Sequence, residues 1–105
     1  MANPWRGEVS LQIDGRVHVM RLTLGALAEL EERLECSSLV ALVERFESQQ
    51  FSSRDVIELL AAGLSGGRCE VSAEELKSAD IAGGPMAAAS AAAELLARAF
   101  VVPEA

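Results

Sequence analysis

The sequence predicts an α+β fold, an N-terminal β-hairpin packed against four to five short amphipathic helices. Three observations lead there. Residues 8–22 alternate in hydropathy around Asp14-Gly15, and from Thr23 onward the apolar positions recur at helical spacing. The hydrophobic half of the composition is mostly small, dominated by Ala and Leu, with no Tyr and only Trp5, Phe46, Phe51 and Phe100 as aromatics, which favours helices. At 105 residues the chain is expected to form a single domain over 1–105, divided into an arm (1–6), the hairpin (8–22) and a helical part (24–101). That length leaves no room for a second catalytic unit.

Asp14-Gly15 is a dipeptide suited to a two-residue hairpin turn, because both central positions need positive φ. That turn sets Ile13 opposite Arg16, Leu11 opposite His18 and Val9 opposite Met20. Val9, Leu11, Ile13, Met20 and Leu22 then share one side, which should meet the helices. The other side carries Glu8, Ser10, Gln12 and Arg21, and is wet apart from Val17 and Val19. A lone hairpin is marginal in water, so its apolar face needs a helical cover.

Thr23 can cap a first helix reaching about Glu35, with Leu24, Leu27, Leu30 and Leu34 as its stripe. Cys36-Ser37-Ser38 interrupts, and Leu39, Leu42, Val43 and Phe46 mark a second helix ending near Ser48. In Phe51-Ser52-Ser53-Arg54-Asp55-Val56 a serine caps, an acid follows three residues on, and Phe51 can staple onto Val56. The third helix carries Val56, Ile57, Leu60 and Leu64 and stops at Ser65-Gly66-Gly67. Val71-Ser72-Ala73-Glu74-Glu75-Leu76 repeats the capping design, with Glu75 as the box residue, and opens a fourth helix to about Asp80. Gly83-Gly84-Pro85 breaks the chain, and Pro85 suits the first turn of a last helix to about Val101 with Ala89, Ala93, Leu96 and Phe100 as its stripe.

Charge and composition narrow the function. Acidic residues outnumber basic ones 16 to 9, for a net charge of −7, and the basic residues are scattered, so no face suited to nucleic acid can be drawn. The longest apolar stretch, Pro85 to Ala93, is far short of the ~20 residues that span a bilayer, and no signal-peptide pattern opens the chain, so a cytoplasmic location and no membrane partner are expected. Cys36 and Cys69 lie far apart with no CxxC and one histidine, so no metal and no disulfide framework is signalled and two free thiols are expected. The segment Leu64 to Glu75 lacks the calcium ligands at its first, third and fifth positions, and the Gly66-Gly67 and Gly83-Gly84 pairs lack the strand and Lys-Ser/Thr of a phosphate loop. No cofactor is implied. Spacing alone permits a Cys36–His18 or Cys69–His18 dyad, but no nucleophile motif surrounds either cysteine.

The candidate partner-binding residues are Trp5, Val17, Val19, Glu31 and Phe51. Trp5 is the one large residue outside the periodic pattern, either a lid over the hairpin edge or an interface anchor. Val17 and Val19 are either ordinary strand formers or half of a strand-pairing edge. Glu31 falls between Leu24 and Leu27 and close to Leu34, inside the apolar arc, where a carboxylate needs a partner or serves recognition. Glu29, Glu32 and Glu35 fit a solvated face.

The stretch Gly7-Glu8-Val9 through Asp14-Gly15, then Leu22-Thr23-Leu24-Gly25-Ala26-Leu27-Ala28-Glu29-Leu30-Glu31, resembles the small tail proteins of gene transfer agents and related prophages of alphaproteobacteria. The likeness continues through Leu39-Val40-Ala41-Leu42-Val43-Glu44-Arg45-Phe46 and Ser53-Arg54-Asp55-Val56-Ile57 to Gly63-Leu64, about two-thirds of the chain. The resemblance implies phage-type tail morphogenesis: a tail assembly chaperone that binds the tape-measure protein and tail-tube subunits, or a tail-tube component retained in the particle. It carries no catalytic residues, and it leaves a homo-oligomer open. The small, acidic, helical character read from the residues is compatible with that role and with many interaction modules.

Overall fold

The computed structural model describes residues 7–34 and 39–99. Their order is β1 (Glu8–Ile13), β2 (Arg16–Arg21), α1 (Leu24–Leu34), α2 (Leu39–Glu47), α3 (Ser53–Gly66), α4 (Ala73–Ser78) and α5 (Gly84–Ala99). The fold is α+β, a two-stranded antiparallel hairpin followed by five helices. Asp14 (φ 51°) and Gly15 (φ 81°) both adopt the left-handed conformation that a two-residue turn demands. The register follows: Val9 pairs with Met20, Leu11 with His18 and Ile13 with Arg16. Val9, Leu11, Ile13, Met20 and Leu22 are all buried, as the alternation requires.

The long helix α3 is the centre of the molecule, packing on α1, β2, α4 and α5. Its first turn carries the capping box written in the sequence. The Asp55 backbone N–H donates to Ser52 Oγ at 3.1 Å, and the Ser52 N–H donates to the Asp55 carboxylate at 2.9 Å. Asp55 is buried and also faces Arg45 of α2 at 3.3 Å, so one carboxylate ties a helix start to its neighbour. The second cap is simpler. Ser72 Oγ accepts from the Glu75 N–H at 3.2 Å, while the Glu75 carboxylate takes the Ser72 hydroxyl at 3.4 Å instead of reaching back to the Ser72 N–H. α4 ends at Ser78, two residues short of the expected Asp80.

Two helical faces differ from the periodicity. On α1, Ala26 and Leu30 are buried with Leu27 and Leu34 partly buried beside them, whereas Leu24 is 86 % exposed. At about 100° per residue the buried arc is centred between Ala26 and Leu34 and excludes Leu24. Glu31 therefore stands at the edge of that arc, half-exposed, not inside it, and has no ionic or hydrogen-bonding partner among the described residues. On α5 the buried side chains are Ala88, Ala91, Ala92, Leu95 and Leu96, while Ala89 is half-buried and Ala93 exposed. Of the expected stripe only Leu96 is buried, and Phe100 lies outside the described residues. α5 is apolar around most of its circumference, so spacing allows several faces and packing against β1 and α3 selects one.

Gly66 and Gly67 do more than stop α3. A Cβ on Gly66 would stand 1.9 Å from the Arg21 carbonyl oxygen, and one on Gly67 2.1 Å from that of Val19, so the end of α3 lies directly against the β2 backbone. Both outer edges of the hairpin are thereby partly occupied. On β1, the Gln12 carbonyl accepts from the Ala82 N–H at 3.1 Å, the Asp14 N–H donates to the Asp80 carbonyl at 2.8 Å, and the Glu8 carbonyl accepts from the Arg98 guanidinium. In an antiparallel ladder alternate residues point their backbone groups outward, so Glu8, Ser10 and Gln12 form the outer edge of β1 and Val17, Val19 and Arg21 that of β2. On β2 the Val19 carbonyl accepts the Cys69 thiol at 3.5 Å.

Candidate functional site

α2 joins the molecule by one face only. Leu42 and Phe46 are buried, Arg45 meets Asp55, and the Phe46 ring stacks on Phe51 with centroids 4.6 Å apart and planes 5° from parallel. Phe51, read as a staple for α3, thus also clamps α2 to the start of α3. Val40 points away from this contact and is 65 % exposed.

The space between α2 and α5 is an apolar cavity of about 570 Å³ lined by Val40, Val43, Phe46, Ala93, Leu96 and Ala97, with Glu47 at its rim. A second cavity, of about 530 Å³, continues along α5 past its N-terminal half, where Phe51, Ile57, Leu76, Ile81, Met86 and Ala89 are among the lining residues. One ring of the Phe46–Phe51 stack lines each cavity, so the stacked pair stands between the two. On the helical wheel Met86, Ala89, Ala93, Leu96 and Ala97 fall on one face of α5, adjoining the face that packs on the hairpin and α3. The expected stripe of Ala89, Ala93 and Leu96 is real as an apolar face. It looks into the two cavities, with Ala89 and Leu96 also packing against the core and only Ala93 fully outside it.

The four candidate residues that the structure describes are dispersed. Phe51 lines the second cavity. Val17 is 68 % exposed on the outer edge of β2, while the neighbouring Val19 is half-buried with its carbonyl held by Cys69. Glu31, on α1, lines neither cavity, and Trp5 lies outside the described residues. The residues that sequence reasoning missed are Val40 and Met86, both exposed at opposite ends of the groove. The signal for Met86 was the all-round apolarity of α5, which one buried stripe cannot use up, and for Val40 its place on α2 away from Leu42 and Phe46.

The polar features elsewhere are structural. Arg54 donates to the Arg33 carbonyl at 2.7 Å and so closes the C-terminal turn of α1, Arg33 faces Glu58 at 3.8 Å, and Lys77 meets Glu74 at 2.9 Å. The Cys69 thiol is directed at the backbone carbonyls of Val19 and Gly67, and no hydrogen bond joins it to His18 among the described residues. Cys36 lies outside them. Among the described residues no group of three or more His, Cys, Asp or Glu side chains could hold a metal ion, and no helix is long and apolar enough to cross a membrane.

No curated protein and no solved structure matches the chain. The family model described as phage tail tube protein, GTA-gp10, matches residues 6–101, nearly the whole chain. On that extent of match, this chain belongs to that family of gene transfer agent and phage tail proteins.

Proposed function

We propose that this tail-family protein acts as a tail assembly chaperone, holding amphipathic segments of the tape-measure protein against α5 while tail-tube subunits assemble around that protein. The observation that carries the reading is the outer face of α5, apolar from Met86 to Ala97 and bordered by two cavities with exposed Val40 and Met86 at their ends. A surface of that kind binds a helix by burying its apolar face, as groove-type peptide readers do. The role needs no catalytic group, works in the host cytoplasm before the particle is complete, and suits a monomer or small oligomer. Phe51 is the candidate residue it uses directly. Val17, exposed on the hairpin, and Glu31, on α1, would serve contacts outside the groove, Val19 would back Val17, and Trp5 would be an interface anchor.

The second reading, a tube subunit retained in the particle, is favoured by the family's description. A tube wall built by strand pairing needs free sheet edges, and here the Gln12, Glu8 and Val19 carbonyls are already engaged within the chain. Quantitative mass spectrometry of purified particles beside the producing-cell lysate separates the two. The chaperone is expected in cells and absent from particles, whereas many copies per particle make it a structural component. Co-expression adds a direct check: a tape-measure protein that stays equally insoluble with and without this chain overturns the chaperone reading.

A further inference from the structure

We infer that the occupant of the α5 groove is a basic amphipathic helix of about three turns from a partner chain, lying along α5 across both cavities with Lys or Arg beside its apolar face. The inference rests on the reading of α5 as a binding surface and adds the partner's shape and charge.

The length follows from the groove. Met86 and Ala97, at its ends, are 11 positions apart on one helix, about 16 Å at 1.5 Å per residue, which is three turns of a partner helix. The secondary structure follows from the walls. They are mainly side chains of α2, α3, α4 and α5, whose backbone groups are bonded within the helices, and the 79–82 segment beside them already gives its Asp80 carbonyl and Ala82 N–H to the hairpin, so an extended peptide would find no free ladder to join. A helix brings its own backbone bonds and needs only apolar side chains on one face. Ala89, Ala93 and Ala97 present little bulk, so a partner helix can approach α5 closely and set larger residues to either side of the Phe46–Phe51 stack.

The charge follows from the rim. Glu47 borders the first cavity, and Glu44, one turn before it, is exposed beside Val40. Neither carboxylate has an ionic partner among the described residues. The basic residues nearby are committed, Arg45 to Asp55 and Arg98 to Glu94 at 3.2 Å and to the Glu8 carbonyl. Asp80 borders the second cavity, where Lys77 is held by Glu74. With a net charge of −7 the whole chain adds to the same field, so a helix flanked by positive charge is attracted and one flanked by negative charge repelled.

The test uses the full-length protein and two synthetic helical peptides of about 16 residues with the same Leu/Ala face, one flanked by Lys and one by Glu, read by fluorescence anisotropy. The Lys peptide should bind about tenfold more tightly than the Glu peptide at low salt, with the gap closing as salt is raised. The double variant Glu44→Lys/Glu47→Lys should remove most of that preference. Ala93→Glu, which places a charge on an exposed groove position, should abolish binding of both peptides while circular dichroism stays that of the parent. Equal affinity for the two peptides overturns the charge inference and leaves the groove reading standing. Failure of both to bind, or binding that ignores Ala93→Glu, overturns the groove reading itself. A concentration-dependent dimer that Ala93→Glu dissociates would assign the groove to a second copy of this chain and overturn the proposed partner.

Discussion

Replacing Gly66 by alanine sets two physical effects against each other, and the structure decides which wins. In an unobstructed helix the change should stabilise by up to about 1 kcal/mol, because alanine loses less backbone entropy on folding. Gly66 is obstructed: its new Cβ would lie 1.9 Å from the Arg21 carbonyl oxygen, where ordinary contact begins at 3.4 Å, so α3 and β2 must separate by about 1.5 Å. The atom in the way is backbone, held in the hairpin ladder, and cannot rotate aside. Separation also loosens the packing of Met20 and Leu64, both fully buried at this junction. An overpacking cost of about 1–3 kcal/mol or somewhat more, less the propensity gain, leaves a net loss of about 2 kcal/mol. For a domain of this size that lowers Tm by about 10 °C. Gly25→Ala is the matched control, since its Cβ meets nothing nearer than Thr23 Oγ1 at 4.0 Å, and it should stabilise by about 0.5 kcal/mol. Urea unfolding of both variants measures the difference. If Gly66→Ala stabilises the protein as Gly25→Ala does, the glycine is only a helix terminator, and the argument from close approach is refuted.

Three further substitutions probe other parts of the fold. Asp55→Ala removes a carboxylate that accepts the Ser52 N–H and faces Arg45, and should cost about 2–3 kcal/mol in urea unfolding. A double-mutant cycle with Arg45→Ala should assign no more than about 1 kcal/mol of that to the ion pair, because the Arg45 side chain is 37 % exposed and solvent screens it. On α1, Leu30→Ala should cost about 3 kcal/mol and Leu24→Ala less than about 0.5 kcal/mol. Similar costs for the two in thermal melts would put Leu24 in the buried arc, where simple periodicity places it. Val40→Ser should leave Tm within about 2 °C of the parent while lowering the fluorescence of a dye that reports exposed apolar surface. An unchanged dye signal would mean that the α2 end of the groove is not an accessible apolar surface.

The hairpin was legible because its determinants are local. Asp14-Gly15 selects a two-residue turn, the turn selects the register, and alternation then assigns every side chain to a face. The start of α3 was legible for the same reason, since Ser52 and Asp55 complete their bonds within four residues. The Phe46–Phe51 stack was not, although both rings were visible as apolar positions, because it joins two helices across a turn whose geometry no short motif specifies. The groove was half legible. Ala89, Ala93 and Leu96 were identified as an apolar face, but periodicity cannot say whether such a face meets the core or stays uncovered.

What the sequence determined by itself was the set of elements, the capped starts of α3 and α4 and the register of the hairpin, since these depend on φ preferences, side-chain caps and alternation over a few residues. What only the tertiary structure decided was which arc of each helix is buried. Leu24 is apolar and exposed, Ala92 is small and buried, and the difference lies in where α3 leaves room once its last turn is pressed against β2. Close packing is a property of all the elements at once. A helix such as α5, apolar on most sides, takes its inner face from its neighbours and leaves an apolar outer face beside it.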